Sequence, residues 1–402
     1  MLERDQGASA QPMNDLIPAA CRPGEARFLL NPRASDAAVP GPALEDVLGP
    51  AGFERARTVI TGWPGYAPTP LRSLPGLASA IGIAALGYKD EGGRFGLASF
   101  KALGGAYAVA ELVRERGAGL TVTCATDGNH GRSVAWGART FGARAVIYIH
   151  ATVSEGRKRA IEAYGAEVRR VPGNYDDSVR QAAEDAARHG WTVVSDTSYP
   201  GYTEIPKLVM QGYGVMAAEA IDQIAAPPSH VFVQGGVGGL AAAVAMHLWW
   251  RYGRDRPRLV VVEPETAACL LASCEAGRPA AVAGDLETVM AGLSCGEPSL
   301  LAWTVLERAA HAFMTVPDHA AEAVMRLLAE PTGDDPPVVA GESAVAGLAG
   351  AIAAVAVPEV AARLALDRSS RVLVFGTEGA TDPDLYRRIV GRTPEAVEAR
   401  QQ

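Results

Sequence analysis

Nowhere in the 402 residues is there an uninterrupted apolar run of eighteen, so the simplest membrane-spanning helix is excluded. Basic excess is missing too: 37 Lys and Arg stand against 45 Asp and Glu, for a net charge of −8, which leaves no electrostatic footprint for nucleic acid. Aromatic residues make up only 6% of the chain, too few for a typical all-β sandwich core. The five cysteines (Cys21, Cys124, Cys269, Cys274, Cys295) are odd in number and contain no CxxC pair. That argues against a zinc site and against a disulfide framework, and no metal is expected. A single bridge among the last three stays open. The opening stretch MLERDQGASAQPMNDLIPAA lacks a positive segment followed by an apolar one. The expectation is therefore a cytoplasmic protein without a signal peptide, frayed at its start.

What the chain does have is glycine, 44 residues of it, and a hydrophobic share of 48%, enough for a large core and two lobes. From Thr121 onward, strand and helix patterns alternate. TVTCAT, RAVIYIH, EVRRVP and WTVVSD read as strands; Asn129–Gly142, Ser154–Gly165 and Tyr175–Gly190 read as helices, the second opened by a Ser154 cap. A second series, HVFVQ, RLVVVEPE and RVLVF, reads as buried strands, each ending in a turn. Residues 196–214 read as a crossing between lobes, with Tyr199 and Tyr202 as packing residues, and the Ala-rich run 344–366 as a packed helix pair. Such alternation predicts an α/β protein in which each lobe is a mostly parallel sheet flanked by helices. Ligands of such sheets bind beyond the carboxyl ends of the strands, which directs attention to three loops.

The loop QGGVGG (Gln234–Gly239) lies between a strand and an apolar helix. Consecutive N–H groups there, with the helix dipole behind them, suit a phosphate. Gly236, Gly238 and Ala241 also satisfy the dinucleotide spacing GxGxxA, with Glu263 at the end of the next strand as a ribose-binding acid. In TDGNHG (Thr126–Gly131), Asp127 or Asn129 reads first as a helix cap and His130 as a surface histidine. In GTEGATD (Gly376–Asp382), Thr377 either satisfies its own turn or offers a neutral hydroxyl to a ring nitrogen. A fourth feature is a lysine, Lys101 of SFKALGGAYAV, where an apolar helix starts. The helix dipole disfavours a cation there by about 0.3–1 kcal/mol. Either Lys101 is a solvated side chain, or its amine is wanted neutral and nucleophilic.

Together these pieces resemble the fold-type II pyridoxal-phosphate enzymes, the group of threonine and serine dehydratases and cysteine synthase, and within it the diaminopropionate ammonia-lyases. The likeness extends from FLLNPR through RFGLASFKALGGAYA, TDGNHGRSVAWGAR, GYTEIPKLVMQGYGVMAAE and MAGLSCGEPS to GTEGATDP. It implies a discontinuous cofactor domain, residues 1–118 and 204–402, a small α/β domain, residues 119–203, an active site in the cleft between them, and a homodimer. It implies that Lys101 is the Schiff-base lysine with Phe100 beside it, and that Gly235, Gly236, Val237, Gly238 and Gly239 hold the phosphate. Gly104 and Gly105 would leave room for the cofactor. Asn129, Glu342 and Thr377 would contact the cofactor, Thr377 at its ring nitrogen. Thr126, Asp127, Gly128, Asn129, His130 and Asp196 would meet the substrate.

One departure from the dehydratases is chemically pointed. Where they carry Ser before the Gly-Asn pair, this chain carries Asp127, as the diaminopropionate enzymes do. A dehydratase expels hydroxide; this chain would expel ammonia, and an amine leaves only when its nitrogen is protonated. A neighbouring carboxylate favours that ammonium and exchanges protons with it. Lys101 would serve the L-enantiomer and Asp127 the D-enantiomer. Three alternatives stand beside this reading: a fold-type II lyase for serine, threonine or 3-hydroxyaspartate, an NAD-dependent oxidoreductase built on Gly235–Gly239, and a non-catalytic binding protein.

Overall fold

The computed structural model describes residues 27–126, 128–330 and 332–401. Among them are β1 (Phe28–Leu30), β2 (Leu71–Ser73), β3 (Ala85–Asp90), β4 (Thr121–Ala125), β5 (Arg144–His150), β6 (Glu167–Val171), β7 (Thr192–Val193), β8 (His230–Gln234), β9 (Arg258–Pro264), β10 (Ala312–Val316) and β11 (Arg371–Gly376). The strands β4 to β7 make a four-stranded sheet in the order β6-β5-β4-β7, parallel throughout. The other seven form a sheet in the order β1-β10-β9-β8-β11-β3-β2. Its five inner strands are parallel, and the short edge strands β1 and β2 run antiparallel. Continuous apolar runs such as HVFVQ and AFMTV are what a sheet covered on both faces requires, and every residue of β8 and β10 is buried.

The helices between Thr121 and Thr192 start and stop where the sequence places them, and Ser154 Oγ accepts the Arg157 N–H at 3.2 Å as the expected cap. The Ala-rich run forms two helices, Ala346–Ala356 and Pro358–Leu364, bent by 106°, the first buried against β8, β9 and β10. Among the described residues no single helix is long and apolar enough to cross a membrane. Cys124, Cys269 and Cys274 are free thiols, so no bridge forms among the last three cysteines.

Two features set up the segment that carries Lys101. The first is a buried ionic network. Arg94 grips both oxygens of Glu91 at 2.8 Å and both of Glu219 at 2.9 and 2.7 Å, while Lys89 donates to Glu219 at 2.7 Å and to the Thr69 carbonyl at 2.6 Å. Two cations and two anions, all buried, compensate one another. Between this network and Lys101, the chain kinks at Phe95 and Ala98, both with φ of 50°. The second feature is a close crossing of the helices Ala102–Arg116 and Glu204–Gln223. A Cβ on Gly212 would lie 1.8 Å from the Leu103 carbonyl oxygen, and one on Gly104 would lie 2.4 Å from the Tyr213 ring. A Cβ on Gly105 would strike Ser133 Oγ at 2.1 Å. The Gly104–Gly105 pair therefore admits neighbouring helices. It does not leave room for a cofactor, which corrects that expectation.

Candidate active site

Lys101 stands at the N-cap of the helix Ala102–Arg116, about one-fifth exposed, and points inward. Its Nζ donates to Asp196 Oδ2 at 2.6 Å and lies 5.3 Å from the Phe100 ring and 5.6 Å from that of Tyr213. Burial and the helix dipole both oppose the ammonium. The Asp196 carboxylate overrides them and holds the lysine well above its ordinary value. Asp196 is held well below the usual carboxylate range: burial would raise it, but the Lys101 ammonium outweighs burial. In this arrangement Lys101 is paired with Asp196.

Asp196 sits in the turn after β7, which Tyr202 fastens by accepting the Ser195 N–H at 3.0 Å and donating to the Val193 carbonyl at 2.9 Å. Tyr199 stacks on Tyr202 at 4.9 Å and remains half exposed. Residue 196 also lies against the glycine loop, because a Cβ built on Gly239 would be 3.6 Å from the Asp196 carbonyl oxygen. In that loop Gly235, Gly236 and Val237 lead from β8 into the helix Gly239–Tyr252. Gly238, the N-cap, has a φ of 98° that a side chain would strain. The fourteen-residue helix thus begins beside the Asp196 backbone, and its first N–H groups have no partner within the helix.

His130 is buried, not a surface residue as read from the sequence. Its Nε2–H donates to the Val194 carbonyl at 2.8 Å, which leaves Nδ1 as a lone pair 3.9 Å from Asp196 Oδ2. Burial lowers its pKa, so the ring is neutral at neutral pH. The Thr126 hydroxyl accepts from the N–H groups of Gly128 at 2.9 Å and Gly131 at 3.0 Å. It is therefore Thr126 that satisfies the start of the helix Asn129–Phe141, while Gly128 takes the N-cap position without a side chain to offer. Asp127 lies outside the described residues. Asn129, freed from capping, donates through Nδ2 to Glu378 and accepts from Arg132 at 3.0 Å.

Thr377 follows β11 directly. Its carbonyl accepts the Phe100 N–H at 3.0 Å and its hydroxyl accepts from Gln234 Nε2 at 2.8 Å. The hydroxyl hydrogen is left to donate elsewhere. Glu342 is buried and accepts from Arg157 at 2.8 Å. Burial and the nearby Glu378 push its carboxyl up to about 8, against the pull of Arg157. Glu263, the acid a dinucleotide site would need, is fully buried. Its two oxygens accept the N–H groups of Leu270 and Leu271, each at 2.8 Å, at the start of the helix Cys269–Ala276. It is spent as a helix cap, which removes the ribose ligand from the oxidoreductase reading.

The family model described as "Pyridoxal-phosphate dependent enzyme" matches residues 63–378. The chain belongs to the pyridoxal-phosphate-dependent enzymes. It is similar to the diaminopropionate ammonia-lyase of Escherichia coli strain K12, with 42% identity over 357 residues that cover 83% of this chain and 89% of that one. Its structure resembles the holo form of the E. coli diaminopropionate ammonia lyase, with a TM-score of 0.85 and 38% identity over 91% of this chain and 96% of that one. A second structure of that enzyme, in complex with an aminoacrylate-PLP azomethine reaction intermediate, aligns with a TM-score of 0.84 at 38% identity, over 91% of this chain and 97% of that one.

The residues present fit pyridoxal phosphate on their own chemistry. Lys101 would supply an amine for the aldehyde, and Thr377 has a hydroxyl hydrogen to give. In the glycine turn the N–H groups of Gly236 to Gly239 would meet the phosphate, whereas that of Gly235, contrary to the sequence reading, is spent on the Val262 carbonyl at 2.8 Å. Two of this pyridoxal-phosphate enzyme's partners escaped the sequence reading. Glu378 lies inside the GTEGATD motif, yet nothing in its spacing announces Asn129, 249 residues away. Gln234 ends β8, and the two hydrogens of its amide nitrogen are shared among acceptors on Phe375 and Thr377, at 2.9 and 2.8 Å, and on residues 343 and 344, at 3.3 Å.

Proposed function

We propose that this chain eliminates ammonia from 2,3-diaminopropionate, yielding pyruvate and two molecules of ammonia with the uptake of one water. The observation that carries this reading is the 42% identity to a diaminopropionate ammonia-lyase along 89% of that enzyme's length. Bound pyridoxal phosphate supplies the electron sink that makes the α-proton acidic.

The chain's own residues divide the remaining work. Lys101 gives up a proton to solvent or substrate before its nitrogen becomes nucleophilic, because Asp196 at 2.6 Å is held too acidic to keep it. Once the Lys101 nitrogen is engaged, the Asp196 carboxylate is left to hold a substrate ammonium. Lys101 takes the α-proton of the L-enantiomer and Asp127 that of the D-enantiomer. Asp127 also keeps the departing nitrogen protonated, so that when the Cβ–N bond breaks its electron pair stays on nitrogen and neutral ammonia leaves. Asn129, Thr126, Gly128 and His130 form the substrate side of the site; Phe100, Gly235–Gly239, Glu342 and Thr377 form the cofactor side. Thr377 is a neutral donor, which suits a ring nitrogen that stays unprotonated and favours elimination over transamination.

Residues 119–203 are read as the small domain and residues 1–118 and 204–402 as the large one. The family resemblance supports a homodimer with small amino acids as its ligands. The test is a panel of β-substituted amino acids, with diaminopropionate, serine, threonine and 3-hydroxyaspartate assayed for pyruvate or other keto acid together with ammonia. Two ammonia per pyruvate from diaminopropionate is expected. Faster turnover of a hydroxy amino acid would overturn the assignment.

A further inference from the structure

Glu378 touches three otherwise separate parts of the molecule. Its backbone is bridged to Ser99, and the next residue, Gly379, donates its N–H to the Ala98 carbonyl at 3.0 Å, so position 378 is fastened to the segment that delivers Lys101. Its Oε1 accepts the Ser343 N–H at 3.1 Å, and its carbonyl accepts the Gly341 N–H at 3.0 Å, which holds the loop that carries Glu342. Its Oε2 accepts from Asn129 Nδ2, which belongs to the loop after β4 in the other sheet, and from Thr381 Oγ1 at 3.4 Å. The carboxylate is buried, with both oxygens receiving donors.

The donors and acceptors permit only one orientation of Asn129. Arg132 can only donate, so it takes the amide oxygen; a carboxylate can only accept, so it takes the amide nitrogen. Between them the amide cannot flip. One of its two N–H hydrogens is consumed by Glu378, and the other is presented in a fixed direction. We propose that Glu378 is a positioning residue that sets the Asn129 loop relative to Lys101, linking the four-stranded sheet to the seven-stranded one by accepting from Asn129 on one carboxylate oxygen and from Ser343 on the other. Glutamine cannot replace it, because an amide has one acceptor oxygen and two donor sites need serving: Asn129 on one side and Ser343 on the other.

The inference rests on the reading that Lys101 and Asn129 face a common cofactor, but its test does not depend on the substrate. Hydrogen exchange is measured on the full chain loaded with pyridoxal phosphate, for wild type, Glu378→Gln, Glu378→Asp and Asn129→Ala, with cofactor affinity measured by titration of the same proteins. In Glu378→Gln, exchange in residues 126–132 is expected to rise about tenfold or more, while the strands of the seven-stranded sheet stay protected. Cofactor affinity should weaken by about the same factor, and Glu378→Asp, which keeps both acceptors, should recover part of each effect. Asn129→Ala should produce the reciprocal loosening of residues 341–345 and 378–381, a readout that survives even if Glu378→Gln does not fold. In the double variant Glu378→Gln with Asn129→Ala, affinity should fall little further than in Asn129→Ala alone. Wild-type exchange in residues 126–132 of Glu378→Gln, or fully additive losses in the double variant, would overturn the proposal. A wild-type enzyme that releases no pyruvate from diaminopropionate would overturn the substrate assignment alone.

Discussion

Lys101 and Asp196 are 95 residues apart in the chain and meet, nitrogen to oxygen, at 2.6 Å. The lysine belongs to the segment fastened to β11 and the aspartate to the turn after β7, so the pair spans the junction of the two sheets. It sets the charge of the amine on which the proposed chemistry depends.

Lys101→Ala should abolish the yellow absorption of the protein loaded with pyridoxal phosphate. After borohydride treatment and dialysis, no cofactor should remain attached. A yellow band before reduction, or cofactor still attached after both steps, would remove Lys101 from its assigned role. The variant also leaves Asp196 without its cation, so a lower Tm is expected alongside.

Asp196→Asn removes the charge that holds Lys101 above its ordinary value, and burial alone then lowers the lysine. The pH profile for the rate of cofactor attachment should move to lower pH by about one unit or more. Stopped-flow absorption between pH 6 and pH 10 measures it, and an unmoved profile would separate Asp196 from the ionisation of Lys101.

Asp127→Asn should depress turnover of D-diaminopropionate by about 100-fold, the scale of a lost general acid or base. The L-enantiomer should suffer less. Separate kcat and KM values for the two enantiomers decide the matter, and equal losses would assign Asp127 to ammonia departure alone.

Glu219→Ala leaves Lys89 and Arg94 buried with only Glu91 to balance them. A loss of about 3–5 kcal/mol of stability is expected, because the penalty is that of an uncompensated buried charge. Urea unfolding checks it.

His247 and His311 are both pushed down to about 4, by burial in the first place. An unfolded histidine titrates near 6.5, so as the pH falls below that value the unfolded chain takes up protons the folded chain refuses. Stability is therefore retained above pH 6.5 and lost progressively toward pH 4, by roughly 3 kcal/mol at most for each ring. Unfolding of wild type and His247→Leu at a series of pH values should show a shallower decline in the variant.

Much of the fold can be read from the chain because the strands are local and their patterns unbroken. β4, β5, β8, β9 and β11 are largely apolar runs closed by turns, and each lies where its pattern predicts, while β6 mixes valine with charge. β3 is not marked in the same way, because it ends in Lys89 and Asp90, residues that look like surface. They are buried because Glu219 and Arg72 come from elsewhere to meet them. The site divides along the same line. Lys101, the glycine loop and Thr377 sit at strand ends or helix starts, where local pattern has meaning. The burial of His130, the capping by Thr126 and the grip of Glu378 on Asn129 depend on partners brought together only by folding. Glu263 makes the point in reverse: its spacing matched a ribose ligand, and only the two N–H groups at Leu270 and Leu271 reveal its structural use.

The crossing at Gly104 and Gly212 bears on redesign. Backbone meets backbone there, so the platform under Lys101 has no slack to shift when a bulkier amino acid is introduced. Redesign therefore has to leave both glycines alone, since an added methyl group at either would meet a neighbouring atom within 2.4 Å and force the two helices apart.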